Sequence, residues 1–332
     1  MSGNEGARTG ELERRYRRLL WAYPSAYRRD RGAELVGTYL DLASEGRRRP
    51  SLADAADLVG GGLRERLRVA GTAGLLSGVR LAAVLAFPTA AALAAGWSVL
   101  EAHPPAPEFQ LRTFGPFASL GVVAWAAWLV AAVTHALAPA RHARSLIGLA
   151  VLLTALVVPA AALTGAPRPP LSVLVPQLAL GLLALALPDR LPLWVRLTPA
   201  AVAALAAVLA VRRLAPEDGY VSYHSFALGS LGAVGGALLI VALALALALA
   251  LRRDTRGAWA LLVLLTPAGL LSVRELAEQF VGRNPYWAAL ASIAAAVTLL
   301  GPALVLFALA ARRGRPLSGR SGGCCPTCGA AR

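Results

Sequence analysis

Phe226 to Leu251, FALGSLGAVGGALLIVALALALALAL, is an uncharged run of 26 residues. As a helix it runs about 39 Å at roughly 1.5 Å per residue, enough to cross a hydrocarbon core of about 30 Å with some tilt. No water-soluble domain needs such a segment. Tyr220, Tyr223 and His224 stand before it and Arg252-Arg253 after it, as residues at the two interfaces of a bilayer should. This run restricts the chain to the architectures a membrane tolerates, and the pattern around it selects helices.

Seven further apolar runs share the chain. With Phe226–Leu251 they give spans at about 79–100, 115–137, 145–165, 171–188, 193–211, 226–251, 257–273 and 286–311. The seventh has 17 residues with Pro267 in its middle, so it reads either as a crossing or as a re-entrant segment. Hydrophobic residues make up 57% of the 332, against about 45–50% in soluble domains. The fold class that follows is all-α: a polytopic membrane helix bundle of about eight transmembrane helices, preceded by a small helical module. Residues 1–74 form the arginine-rich module, 75–311 the bundle, and 312–332 a cysteine-containing tail.

Charge orients the bundle. All 33 basic residues are arginine and the net charge is +15. In a basic membrane protein that excess is expected on the cytoplasmic side. With eight crossings and the N-terminus inside, 27 arginines face the cytoplasm and 6 face out. The outer loops carry Glu101, Glu108, Glu217, Asp218, Glu275 and Glu278, and the inner loops carry Arg141, Arg144, Arg190, Arg196, Arg252, Arg253 and Arg256. Both termini are therefore expected in the cytoplasm of a multi-pass plasma-membrane protein. Trp194, Tyr220, Tyr223, Trp259, Tyr286 and Trp287 mark span edges.

Residues 11–70 read as three short amphipathic helices. Leu12, Tyr16, Leu19, Leu20 and Tyr23 share a face at spacings of three and four, and Pro24 ends the first helix. Leu35, Val36, Tyr39 and Leu40 form the stripe of the second. Ser51 with Asp54 fits a capping box for the third, whose face is Leu52, Ala55, Ala56, Val59, Leu63 and Leu67. Gly60-Gly61-Gly62 weakens its middle. Ten acids among residues 1–70 leave a net charge of only +4 there, which argues against a nucleic-acid surface. Contact with the bilayer surface, or a basic face beside it, accounts for the arginines.

Chemistry-bearing patterns are few. No Asp, Glu or Arg falls near the middle of a span, where an ionisable residue would be a functional hypothesis by default. His135, late in the second span, is the nearest candidate. Prolines 88, 159, 176, 199, 267 and 302 lie inside spans, each freeing a backbone carbonyl. Thr198-Pro199 and Thr266-Pro267 share Leu-Thr-Pro-Ala, a trace of an internal repeat or a coincidence in a Leu- and Ala-rich chain. Gly229, Gly232 and Gly236 present a small-residue face for packing within the chain or for a homodimer. Cys325-Pro326-Thr327-Cys328-Gly329 resembles one knuckle of a zinc ribbon. Zinc takes four ligands, so Cys325 and Cys328 need a second tail or a partner; without one the tail carries free thiols and the protein has no cofactor. No Ser–His–Asp grouping, P-loop, GxGxxG or HExxH occurs, so nothing points to an enzyme.

Arg17 to Leu20, Tyr23 to Arg28 and Gly32 to Glu34 form the pattern Arg-Arg-Leu-Leu, Tyr-Pro-x-x-Tyr-Arg, Gly-x-Glu. This resembles the permease-prefix module that opens many actinobacterial membrane proteins, some of them permeases of ABC transporters and others multi-pass proteins of uncharacterised role. An arginine-only, Ala- and Gly-rich composition agrees with a high-GC source. The permeases have few spans and a large extracytoplasmic domain, for which these loops leave no room. The resemblance implies a regulatory or accessory membrane component whose module, residues 11–70, docks a cytosolic protein; the alternative is a permease or transporter subunit for a small or lipophilic substrate.

Overall fold

The computed structural model describes residues 3–42, 50–69, 74–104, 112–138, 140–215, 221–252, 254–281 and 286–313. Cys325 and Cys328 lie outside them, as do most of the 312–332 tail and Glu108, Glu217 and Asp218. Among the described residues the chain is helical throughout, with a single isolated β-bridge between Phe114 and Phe117. Two compact units are present: α1 to α3 belong to one, and Gly74 to Leu306 form the other.

In the first unit, α1 (Gly3–Leu19) passes through a 3-10 turn at Leu20–Ala22 into α2 (Ser25–Asp41), and α3 (Leu52–Val69) follows. Leu12, Tyr16, Leu20, Tyr23, Val36 and Leu58 form its apolar cluster. The expected faces of α1 and α2 are the observed ones. Among the described side chains of α3, Leu58 and Gly62 are buried while Ala56 and Val59 of the expected face are exposed. Polar bonds hold the same helix: the Tyr16 hydroxyl donates to Asp54 Oδ2 at 3.0 Å and the Tyr39 hydroxyl to Asp57 Oδ2 at 2.6 Å. The capping box is formed in both directions, Asp54 N–H to Ser51 Oγ at 3.0 Å and Ser51 N–H to Asp54 Oδ2 at 3.1 Å. Gly61 and Gly62 serve close approach. A Cβ on Gly62 would sit 2.6 Å from the carbonyl carbon of Ala22, and one on Gly61 2.4 Å from the Tyr23 hydroxyl.

The second unit contains α4 (Leu75–Glu101), α5 (Gly121–Leu137), α6 (Ala140–Thr164), α7 (Leu171–Ala184), α8 (Leu193–Leu214), α9 (Tyr223–Ala227), α10 (Ser230–Leu251), α11 (Arg256–Leu271), α12 (Val273–Val281) and most of α13 (Trp287–Arg313). Five segments are long and apolar enough to cross a membrane: α4, residues 141–164, α8, residues 223–251 and residues 287–308. The pair α11 and α12, bent by 68°, is either a broken sixth span or a re-entrant segment, and α5 and α7 are shorter apolar helices. The chain is a helical, membrane-type protein by length and composition.

The hub is α4, which packs against α5, α7, α8, α10 and α11. Alanines 82, 83, 86, 90, 91, 94 and 95 are buried along it, since small side chains let neighbouring backbones approach closely where no water drives association. Phe226–Leu251 is peripheral by contrast. Only 22% of its most apolar window is buried, against 56% for α4. A helix equally apolar all round has no face that must turn inward.

Several expected boundaries shift. The second span starts at Gly121 and not at 115, because Phe114–Phe117 closes a tight turn with Gly115 at φ +58°, a conformation glycine reaches without steric cost. The sixth breaks at Gly229, φ +73°, which separates α9 from α10. The seventh ends at Leu271 before the bend into α12. The small-residue face uses Gly232 and Gly235: a Cβ on Gly232 would meet the Glu275 carboxylate at 2.4 Å and one on Gly235 the Ala268 carbonyl at 2.9 Å, whereas Gly236 has nothing within 4 Å. Trp259, in the first turn of α11, is buried at its edge position, and a Cβ on Gly78 would lie 2.3 Å from its Cβ. Trp194, Tyr286 and Trp287 are exposed at helix ends, as interfacial anchors should be.

Hydrogen bonds tie the helix ends into two groups. At one end, Arg196 Nε donates to the His135 carbonyl at 3.1 Å, and Arg196 Nη2 donates to those of Ala136 at 3.3 Å and Ala138 at 2.7 Å. Arg144 donates to the Leu187 carbonyl and pairs with Asp189 at 3.0 Å. A guanidinium suits these places because the last carbonyls of a helix lack partners and carry its negative dipole end. At the other end, Leu120 N–H donates to the Pro167 carbonyl at 2.9 Å, Ala118 N–H to that of Glu101 at 3.1 Å, and Arg213 Nη2 to that of Leu228 at 3.0 Å. Consecutive helices from α4 to α8 therefore run in alternating directions, α5 and α7 included.

Candidate functional site

The last turn of α4 carries Trp97, Ser98 and Glu101, with Ala102 and His103 just beyond. Its inward side holds the most concentrated polar network of the bundle. Glu101 is fully buried. Its Oε2 accepts Ser119 N–H at 2.6 Å, and its Oε1 accepts the hydroxyls of Ser119 and Tyr223. Both hydroxyls are themselves acceptors: Trp125 Nε1–H donates to Tyr223 at 3.0 Å and Gly121 N–H to Ser119 at 3.1 Å. Their hydrogens are thus directed at Glu101, which accepts three and donates none. Converging donors of this kind hold a carboxylate strongly.

Sequence and backbone make room for it. A Cβ on Gly121 would lie 2.9 Å from Glu101 Oε1 and 2.5 Å from Pro169 Cγ, so only glycine fits at the start of α5. Aromatic rings seal the network. Trp97 lies 5.4 Å from Tyr223, 5.5 Å edge-on from Phe226 and 6.5 Å from Trp125 between ring centres. The buried Trp97 Nε1 has no hydrogen-bond partner. The arrangement fastens α4, the 112–120 loop, α5 and α9 at one end of the bundle. It offers no free base or nucleophile, because each oxygen of Glu101 is already engaged.

The outward side of the same turn faces an apolar groove of about 550 Å³ between α4, α5 and α8. Ala95 and Ala132 are buried in its floor, Ala200, Ala203 and Ala207 line the α8 side, and His103 and Val211 stand at one end.

Expected site residues fare unevenly. Glu101, read as an outer-loop acid, is buried at the end of α4, with Ser119 and Ala118 of the loop before α5 bonded to it. Glu275 is drawn in as well: Gly232 N–H donates to its Oε1 at 3.2 Å. His135 is buried with Phe87 edge-on at 5.3 Å, and its backbone carbonyl is part of the Arg196 cap. The metal candidates Cys325 and Cys328 lie outside the described residues. Among the described residues no cluster of three or more His, Cys, Asp or Glu could hold a metal ion. Gln177, also buried, donates to the Ala90 carbonyl at 3.1 Å and leaves its Oε1 without a partner. A glutamate at the end of an apolar run was the one available sequence signal for the network. Its partners Ser119 and Tyr223 stand 18 and 122 residues away, beyond any local pattern. Comparisons with protein families, with curated proteins and with solved structures give no match for this chain.

Proposed function

We propose that the chain is a regulatory or accessory component of the plasma membrane, with eight crossings and both termini cytoplasmic, whose N-terminal module docks a cytosolic protein. The observation that carries the docking role is the surface of the first unit. It has its own apolar cluster, yet Trp21 is 70% exposed with the Arg28 guanidinium 4.9 Å from its ring centre. Trp and Arg are among the residue types enriched at the hot spots where proteins bind one another. A polar recess of about 470 Å³, lined by Tyr27, Asp30, Arg31 and Glu65, adds a second feature. The resemblance of residues 12–41 to a permease prefix agrees with this reading.

Eight crossings are supported by the alternating helix ends, which carry the short α5 and α7 between the same two ends as their longer neighbours. The cytoplasmic placement rests on the arginine count. Affinity capture with the full chain from solubilised membranes, compared with a Trp21→Ala, Arg28→Glu variant, tests the role. The expected result is a soluble protein retained by the parent chain and lost from the variant; equal recovery from both counts against docking through this surface. Zinc shared between two tails through Cys325 and Cys328 is a separate proposal, tested by elemental analysis for half an equivalent per chain.

The alternative, a permease or transporter subunit for a small or lipophilic substrate, draws its support from the groove, since α4 and α8 on its walls each contain an internal proline. The core beside it is filled by Trp97, Trp125 and Trp128, which favours the accessory role.

A further inference from the structure

The geometry points to α9 as an acid-released clasp: a short arm, hinged at Gly229, that two proton-free acceptors hold against the bundle at neutral pH and release when they take up protons. The inference depends on neither the docking role nor the orientation in the membrane. α9 spans only Tyr223–Ala227 and is separated from α10 by Gly229 at φ +73°, where a Cβ would meet nothing within 4 Å. Glycine enters and leaves that backbone region without steric cost, which makes it a hinge. Beyond the hinge the arm is held by Phe226, edge-on to Trp97 at 5.5 Å, and by polar contacts of the adjacent residues Tyr223 and His224.

Each of those polar contacts needs an acceptor without a proton. The Tyr223 hydroxyl donates to Glu101 Oε1. A proton on Oε1 would meet the two hydroxyl hydrogens aimed there, and a proton on Oε2 would meet the Ser119 N–H. Either way a buried donor loses its acceptor, the costly outcome for a polar group out of water. On the other side of the arm, His224 Nδ1 lies 3.3 Å from Arg274 Nη1. Arginine has only donors, so Nδ1 is the acceptor. A protonated ring would turn a donor and a positive charge toward the same guanidinium. Both contacts are therefore complete at neutral pH and lost as pH falls. The other charged groups at this end leave that sign unchanged. His103 donates from Nδ1 to the Val99 carbonyl at 2.7 Å, a role that protonation preserves. Arg168 and Arg213 donate to the Pro169 and Leu228 carbonyls at 3.2 and 3.0 Å, and Arg112 lies by Gly165; all three keep their charge throughout. On α12, Glu275 accepts the Gly232 N–H at 3.2 Å and Glu278 pairs with Arg274 at 3.0 Å. Protonation of Glu278 would leave the Arg274 charge unbalanced beside His224.

Hydroxyl-radical footprinting of the full chain in detergent, read by peptide mass spectrometry, tests the clasp. Going from about pH 8 to about pH 4 crosses the ordinary ranges of both acceptor types. Oxidation of the buried Trp97 and Phe226 should rise about tenfold, the change in open population that loss of a buried hydrogen bond implies. Trp128 and Trp259, buried elsewhere in the core, should not change. Glu101→Gln, whose amide cannot satisfy the three donors, should show the raised footprint already at the higher pH. His224→Gln keeps an acceptor for Arg274 at every pH and should need a lower pH for the same rise. Unchanged oxidation of Trp97 across the range overturns the proposal. So does a rise that Trp128 and Trp259 share, which is general unfolding. Where Glu101→Gln itself exposes Trp128, Tyr223→Phe takes its place: a raised Trp97 footprint at the higher pH is the expected result, and the parent's footprint there would overturn the clasp.

Discussion

Glu101→Gln isolates the buried network without changing side-chain volume. In the parent chain Oε2 takes the Ser119 N–H, while Oε1 takes two hydroxyl hydrogens whose oxygens already accept from Gly121 N–H and Trp125 Nε1–H. An amide cannot satisfy this pattern either way round. With its nitrogen at the Oε2 place, it sets donor against donor at Ser119 N–H. With its nitrogen at the Oε1 place, two hydroxyl hydrogens lose their acceptor. At least one charge-assisted bond is lost, worth about 1.5–3 kcal/mol, and at least one buried donor is stranded at about 1–3 kcal/mol. Interhelical hydrogen bonds in membrane proteins average about 0.6 kcal/mol, which pulls the expectation to the lower part of that sum, about 2.5–4 kcal/mol. Equilibrium unfolding of the detergent-solubilised bundle by sodium dodecyl sulfate reads this directly. Tyr223→Phe should cost about 1.5–3 kcal/mol by the same reasoning. Because the two residues share one bond, the double variant should fall short of the sum by about 1–2 kcal/mol. A Glu101→Gln variant within about 0.5 kcal/mol of the parent, the range of ordinary surface substitutions, would refute the directed network.

Three other substitution sets follow from the geometry. Gly235→Ala should destabilise by about 1–3 kcal/mol through overpacking, its Cβ lying 2.9 Å from the Ala268 carbonyl and 3.1 Å from Leu271 Cβ. Its neighbour Gly236→Ala, with nothing within 4 Å, should stabilise by about 0.5–1 kcal/mol through helix propensity, and the same unfolding assay separates the two signs. Arg196→Gln should cost about 1–3 kcal/mol by releasing the three carbonyls that end α5, and Arg196→Lys should recover only part of it because the planar fork is lost. Tyr39 has its phenol pushed up to about 12, chiefly by its hydrogen bond to Asp57. A raised folded value means that this contribution to the N-terminal unit is complete below the ordinary tyrosine range near 10. It is lost as pH rises through about 12. The ultraviolet tyrosinate difference between parent and Tyr39→Phe gives the titration, and Asp57→Asn should move it back toward the ordinary value.

Much of the helical plan was legible because apolar length and capping chemistry are local. Ser51 and Asp54 announced the start of α3, and Pro24 the end of the first helix. The runs at 79–100 and 193–211 became α4 and α8 with small shifts. What stayed hidden depends on which helices meet. Phe226–Leu251 dominates any hydropathy scan yet sits at the edge, since hydropathy measures affinity for an apolar medium and does not distinguish lipid from neighbouring helices. The hub α4 is marked only by alanines, which gain importance from what approaches them. Trp259 and Trp194 look alike as span-edge aromatics; the first is buried because Gly78 lets α11 close on α4, and the second is exposed. Glu101 looked like a loop acid because burial of a carboxylate requires donors that arrive from distant parts of the chain.

The central claim is that α4 to α8 carry the chain repeatedly from one side of a bilayer to the other. Single cysteines at Thr113, Arg168, His142 and Asp189, introduced with Cys324, Cys325 and Cys328 replaced by Ser, test it by labelling with a membrane-impermeant maleimide. The first two positions lie at the Glu101 end of the bundle and the last two at the Arg196 end, and all four are exposed. In intact cells Thr113→Cys and Arg168→Cys should label, and His142→Cys and Asp189→Cys should label only after the membrane is opened. Labelling of all four from the same side would contradict the threading.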